Sequence, residues 1–441
     1  MFTNERLKKM IVPMFIEQFL ILLVGMIDTV MISYAGEAAV SGVSLVNSIN
    51  TLFLNLFTAL ASGGAVVVSQ YIGRKDRDNG NKACSQLLMF SIVFSLIISV
   101  LILVNGNSIL VLLFGKVESD VMSASQIYLR ITTYSYVFMA IYNAGGSVLR
   151  SMGRTKETMV VSMIANIINI IGNFIGVFIL YAGVSGVAWP TFISRLVQAI
   201  IITLFCISEK NEVHYVLRYV IMWNGELLKK IFNIAIPNSI ESAIFNLVKI
   251  LLSSVVAGFG TIQTAAHGVA QNIWSISNIS SNAMGPIFVT VIGQYMGARD
   301  TKGARSSFWK LLKITSSISI IWNFMMIALT PFILNFYNIS DEAKYYVMII
   351  VAIHDSFNAF FMPFSGPLGN GLRACGDVKF TMVWAIVASV CGRLVLTYVF
   401  ALWMNLGVIG VTMAMVSDWI VRGIVYTLRL KSDKWESKIV I

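Results

Sequence analysis

An aspartate at position 28 stands inside a largely apolar run, PMFIEQFLILLVGMIDTVMISYA. A charge at that depth costs about 2.5–3.5 kcal/mol on insertion scales, so it marks a candidate functional group. A second polar set, Asn166, Asn169 and Asn173, interrupts another apolar run at 157–181. Asn169 and Asn173 are four residues apart and share one helix face. At 1.5 Å per residue, Asp28 lies about 25 Å into its run and Asn173 at nearly the same depth. A carboxylate facing two amides at one level can hold a proton, or coordinate Na+ through oxygen atoms. Asp28, Asn169 and Asn173 are therefore the candidate cation-coupling site. The plainer alternative is a hydrogen-bonded clamp between helices.

Other ionisable residues fall within apolar runs. Glu17 precedes Asp28 by eleven residues, and Glu241 stands four residues after Pro237 as Glu17 does after Pro13. This pairing favours a shared structural or gating role. Lys249, His354 and Asp355 fall in later runs; Lys249 is the expected neutralising partner of Asp355, which is the second candidate contact for substrate or cation. Arg195 is placed near mid-membrane as a substrate contact, and Arg130 has no evident partner. Arg393, Asp418 and Arg422 read as a local structural network, with Asp418 and Arg422 one helical turn apart. His267 reads as a helix-end histidine.

The elements that position these residues are apolar windows. Of 441 residues, 57% are hydrophobic and 12% charged, about half the charged share of a soluble chain. Twelve windows of about 20 residues or more occur at 11–34, 44–71, 83–104, 121–147, 157–181, 184–207, 232–257, 265–296, 308–333, 343–370, 379–403 and 407–428. None alternates as a barrel strand would, so the expected fold is an all-α integral membrane protein. Its first half is written again about 224 positions later: VSQYIGRKD at 68–76 answers IGQYMGARD at 292–300. LRSMGRTK at 149–156 answers LRACGDVK at 372–379, and GVSGVAW at 183–189 answers GVIGVTM at 407–413. Internal duplication thus gives two six-helix lobes, at 1–207 and 232–441, joined by a cytoplasmic connection at 208–231. That connection reads as an interfacial helix. Asp28 aligns with Leu252, so its carboxylate belongs to one lobe alone.

The net charge of +11 resembles that of a nucleic-acid binder, but its placement argues otherwise. Cations crowd the N-terminus, the even-numbered connections and the C-terminal tail, whereas the odd-numbered ones hold essentially Lys116 and Lys344. This positive-inside pattern puts both termini in the cytoplasm, with anionic lipid as the partner. The four cysteines are scattered and read as free thiols. No phosphate-binding loop, H-E-x-x-H or G-x-S-x-G occurs, so neither an ATP-driven pump nor an enzyme is expected. Parallel repeats of a membrane bundle suggest a transporter with its site near mid-membrane.

Several segments resemble the multidrug and toxic compound extrusion (MATE) family, in its bacterial NorM/DinF-like branch. They are PMFIEQFLILLVGMIDTVMISYAGEAAVSGVSL at 13–45, GGAVVVSQYIGRKD at 63–76, LRSMGRTK at 149–156, NIIGN at 169–173 and LRACGDVKFTM at 372–382. The resemblance implies a V-shaped pair of lobes that exports organic cations and polyaromatic compounds by H+ or Na+ antiport. It places the acidic residue of the first helix on Asp28 and the polar pair of the fifth on Asn169 and Asn173. Asn173 leaves one carboxylate fewer than the two-acid version of that site. The glutamate that the branch carries on its seventh helix falls on Phe245, so a sodium site there does not carry over; Glu241 lies one turn earlier. The expected protein is a monomeric exporter in the plasma membrane, with a small organic substrate, no cofactor and no nucleic-acid partner. A lipid-linked precursor flippase would need more basic residues in its first lobe, and a passive channel or binding protein would need no coupling site.

Overall fold

A computed structural model describes residues 2–115 and 117–441; Lys116, one of the two cations in the odd-numbered connections, lies outside them. Among the described residues every regular element is helical. In chain order these are α1 (Asn4–Ser33), α2 (Glu37–Arg74), α3 (Arg77–Phe114), α4 (Ser119–Tyr134), α5 (Tyr136–Ser151), α6 (Thr155–Phe174) and α7 (Ser185–Ile207). They continue with α8 (Leu217–Ile221), α9 (Gly225–Ala257), α10 (Thr261–Ser277), α11 (Ile279–Gly297), α12 (Thr301–Leu334), α13 (Asp341–Ala374), α14 (Val378–Val387) and α15 (Gly407–Lys431). Helix α6 runs on through a π-wound turn, Ile175–Ile179, and α14 through two, Ala388–Val395 and Tyr398–Trp403.

Ten of these stretches are long and apolar enough to cross a membrane. The fourth and eighth windows are each split in two, α4/α5 at Ser135 and α10/α11 at Asn278. The first break follows from a run of hydroxyls. Thr132, Thr133 and Ser135 each donate back to a carbonyl three or four residues earlier, at 2.8, 2.6 and 2.6 Å. Such back-bonding competes with the helix ladder and bends it. Large apolar side chains stay exposed along the spans, Val104 on α3 and Ile321 on α12 among them. Lipid takes the place of water around them.

The chain forms two compact units, Thr3–Ala235 and Ile236–Ile441, the latter including Phe2. In the first, α1 packs along α6, α6 along α7, and α5 against α2, α3 and α7. In the second, α13 is the central helix, packed against α10, α11, α12 and α15.

The duplication is visible in backbone geometry. Left-handed residues recur in both units: Gly36 and Gly260, Lys75 and Arg299, Tyr181 and Asn405, Gly183 and Gly407. Asp76 and Asp300 both cap the following helix, accepting from the amides of Asn79 and Gly303. The turn between α6 and α7 closes by backbone contact. A Cβ at Gly186 would meet the Gly176 carbonyl carbon at 2.6 Å, and its counterpart at Gly410 would meet the Ala401 amide at 2.5 Å. Only glycine permits that approach.

One difference between the copies has a structural cause. Gly153 pairs with Gly376 at an offset of 223, whereas Tyr181 pairs with Asn405 at 224, so the second copy carries one extra residue between them. The turn Ile175–Ile179 has its counterpart in Tyr398–Trp403, but Ala388–Val395 has none. A π-bulge is how a helix accommodates a one-residue insertion. The extra residue is therefore absorbed in Ala388–Val395, the turn that carries Arg393.

The connection at 208–231 is not the interfacial helix expected from its composition. Its only independent helix is the five-residue α8. Apart from the first residues of α9, the rest is a strap fastened to the start of α3: the backbone amides of His214, Val216 and Asn224 donate to Asn81 Oδ1, Ser85 Oγ and Gln86 Oε1 at 2.8, 3.0 and 2.9 Å. Arg77 donates to the Glu209 and Asn211 carbonyls, and Arg154 to the Asn211 side chain. Side-chain partners replace the ladder that a longer helix would have supplied.

Candidate functional site

The three residues proposed for cation coupling meet. Asp28 lies five residues before the end of α1, Asn173 six before the end of the α6 extension, and Thr191 six after the start of α7. At 1.5 Å per residue all three sit about 8–9 Å from their helix ends, at one level. Asn173 Nδ2 donates to Asp28 Oδ1 at 2.7 Å. The best-satisfied orientation of the Asn169 amide turns its NH2 toward the same carboxylate, 2.9 Å from Oδ1 and 3.3 Å from Oδ2, with its oxygen 3.3 Å from Thr191 Oγ1. Asn173 is fully buried, and its Oδ1 has no partner among the described residues. The site thus presents a carboxylate to two amide donors and keeps one buried oxygen spare.

Arg195 does not contact Asp28 directly. Its guanidinium donates to Ser135 Oγ at 2.7 Å, fastening α7 to the break in the fourth span. Beside it Tyr136 donates to Asn50 Oδ1 at 2.7 Å, a buried bond that ties α5 to α2. Thr191, Ser135 and Asn50 were not singled out in the sequence. Thr191 could have been, since it lies one turn from Arg195 on the same face.

Glu17 and Glu241 are each half of a repeated ion pair. Arg150 Nη1 stands 3.2 Å from Glu17 Oε1, while Thr158 and Tyr142 donate to Glu17 at 2.7 and 3.3 Å. Arg373 Nη2 reaches both oxygens of Glu241 at 2.7 Å. Arg150 and Arg373 are the arginines of the LRSMG and LRACG repeats. The same helix-to-helix brace is therefore built twice, buried in the first unit and partly exposed in the second.

The expected pairing of Lys249 with Asp355 does not form. Asp355 accepts from Ser277 Oγ at 2.7 Å, and its Oδ1 has no partner among the described residues. Lys249 is exposed and joins none of the ion pairs in the spans of its unit. Asp355 lies about 21 Å from the outer end of α13 and Lys249 about 12 Å from that of α9, so the two differ in depth as well as direction. The network around Asp418 does form: Arg393 and Arg422 both reach its Oδ2, at 3.0 and 2.7 Å. Next to it the His354 ring lies against Trp419 and Trp274, with centroids 4.8 and 5.5 Å away.

A duplicated helical membrane bundle with a polar site inside one repeat is the architecture of a transporter. The MatE family model matches twice, over residues 13–175 and 237–399. Both matches begin on the repeated prolines. The chain belongs to the MatE family, the MATE multidrug efflux transporters. It is 26% identical to the "Uncharacterized transporter YisQ" of Bacillus subtilis strain 168, across 97% of this chain and 94% of that protein. It is 25% identical to the "Probable multidrug resistance protein NorM" of Thermotoga maritima, across 99% and 94%. Among solved structures it resembles an outward-facing multidrug resistance MATE family transporter of the MOP superfamily, with a TM-score of 0.90, 19% identity, and 97% and 96% of the two chains covered.

Proposed function

We propose that this protein is a secondary active exporter that couples entry of H+ or Na+ to extrusion of an amphipathic organic compound, with cationic amphiphiles as the first class to test. Asp28 is the coupling group. The observation that carries this reading is the Asp28 carboxylate facing two amides, with Asn173 Oδ1 buried and without a partner among the described residues. An amide can present either end. Its NH2 satisfies the ionised carboxylate, and its oxygen, once turned, accepts from the protonated acid or ligates Na+. Binding of the ion therefore rearranges α1 against α6, and coupling requires only that substrate affinity differ between the two arrangements. Arg195 holds α7 to the broken fourth span, so a change at Asp28 has a rigid neighbour to act against. Glu17 and Glu241 act as bracing residues in this reading, and Asp355 as a second polar contact. The basic even-numbered connections support cytoplasmic termini in the plasma membrane, and the chain works as a monomer.

The test is dye accumulation in proteoliposomes under an imposed pH or sodium gradient, comparing wild type with Asp28→Asn. The variant is expected to bind dye and to lose uphill transport. Uphill transport at the wild-type rate by Asp28→Asn would remove Asp28 from the mechanism, and gradient-independent flux in both proteins would point to a channel.

A further inference from the structure

The second unit holds more positive charge within its spans than it neutralises. Arg393 and Arg422 share a single oxygen of Asp418, which is fully buried. The triad therefore keeps one net positive charge, and the Nε atoms of both arginines lack partners among the described residues. A further cation is close by. The Arg393 guanidinium stands 4.6 Å from the centroid of the Phe245 ring, and Lys249 follows Phe245 by one turn on the same face of α9. Among the described residues no ion pair in these spans includes Lys249: Glu241 is held bidentately by Arg373, and the Asp355 carboxylate bonds to Ser277. Of these three cations the two arginines are ion-paired, and they share the one carboxylate of Asp418.

Like charges gathered where the dielectric is low repel strongly. An ammonium in mid-span that faces no carboxylate also marks a wetted wall, because such groups turn to a water-filled cavity and not to lipid. Two features favour a bound group on this face. Arg393 sits on the π-wound turn that absorbs the extra residue of the second copy. Beside the triad, Trp419 stacks on Trp274 with centroids 6.3 Å apart, and the buried Trp274 Nε1 and His354 Nε2 have no partners among the described residues. Cation, aromatic faces and spare polar atoms together suit a flat organic body bearing a negative group.

We propose that Lys249 and Arg393 form a subsite for a carboxylate of the transported compound, with Phe245 flanking its aromatic portion. The transported compounds then include amphipathic acids and zwitterions beside cations. This deepens the exporter reading and rests on it for the word transported. The acid binds through its ionised form, so the corresponding neutral ester is the informative control.

The probes are dansylglycine and its methyl ester, titrated by fluorescence against the full-length protein in lipid. The acid is expected to bind about tenfold more tightly than the ester, as a charge-assisted contact predicts. Lys249→Gln should remove that preference while leaving ester binding unchanged, and Lys249→Arg should restore it. The Lys249 side chain is exposed and outside the ion pairs, so folding should not be at stake in these variants. Equal binding of acid and ester by wild type, or an undiminished preference in Lys249→Gln, overturns the subsite. Gradient-driven efflux of the same probes separates the two claims. Acid preference in binding without uphill transport of either probe overturns the exporter reading and supports the subsite; uphill transport without acid preference overturns the subsite alone.

Discussion

The two units share a scaffold and differ in its polar lining. Both have a left-handed lysine or arginine ending the second repeat helix, a Glu–Arg brace on the first, and a glycine contact closing a turn. Counted back from that turn, however, Asn169 stands against Arg393, Asn173 against Thr397, and Asp28 against Leu252. The first unit thus has an acid served by amides, and the second a guanidinium served by an acid. Backbone geometry survives duplication because every turn must close. The lining is free to diverge, since a buried polar group needs only that its own partners be present. In the reading proposed above, coupling falls to one unit and recognition of a negative group to the other.

The largest effects should separate two of the intramembrane aspartates, Asp418 and Asp28. Asp418→Asn leaves two buried arginines without a counter-charge, at an expected cost of about 3–5 kcal/mol, read as loss of folded protein in thermal or chemical unfolding. Asp28→Asn removes no ion partner and should unfold within about 1 kcal/mol of wild type, while losing uphill transport. Equal destabilisation by the two changes would erase the distinction between a structural and a working acid.

The repeated braces should differ by degree. Glu17 is 2% exposed and has three side-chain partners, whereas Glu241 is 16% exposed and has one. Glu17→Ala is expected to cost about 3 kcal/mol, and Glu241→Ala, better solvated, about 1–2 kcal/mol. Unfolding midpoints decide this, and a reversed order would mean that exposure does not set the strength of the brace. Ala at Gly186 or at Gly410 should cost a similar 1–3 kcal/mol in either unit, as backbone faces backbone at both and neither can give way; about that much is typical of overpacking.

The meeting of Asp28, Asn169 and Asn173 was legible in the sequence because helical spacing and depth fix both height and face: Asn169 and Asn173 share a stripe, and Asp28 lies at their level. The braces were half legible. The repeated glutamates and the repeated arginines each stood out, but their joining depends on how α1 packs on the helices around it. Lys249 and Asp355 were misjoined for the same reason: opposite charges in neighbouring runs do not reveal azimuth. The strap on α3 was invisible because Asn81, Ser85 and Gln86 look like any polar helix start, and their acceptors and donors serve a segment about 130 residues away.

The smallest effect tests the origin of the divergence itself. If Ala388–Val395 is wound as a π turn to lodge one extra residue, deleting Val390 should let that stretch relax to plain helix. Residues on either side would keep the register already seen in the first copy. The expected loss is on the order of 1 kcal/mol, with folded protein recovered in good yield. Deleting Ile167 from α6, which has no such turn at its centre, rotates everything beyond it by about 100°. That change should pull Asn169 and Asn173 away from Asp28 and prevent folding. A Val390 deletion as damaging as that of Ile167 would show that the π turn is an intrinsic bend and not an absorbed insertion.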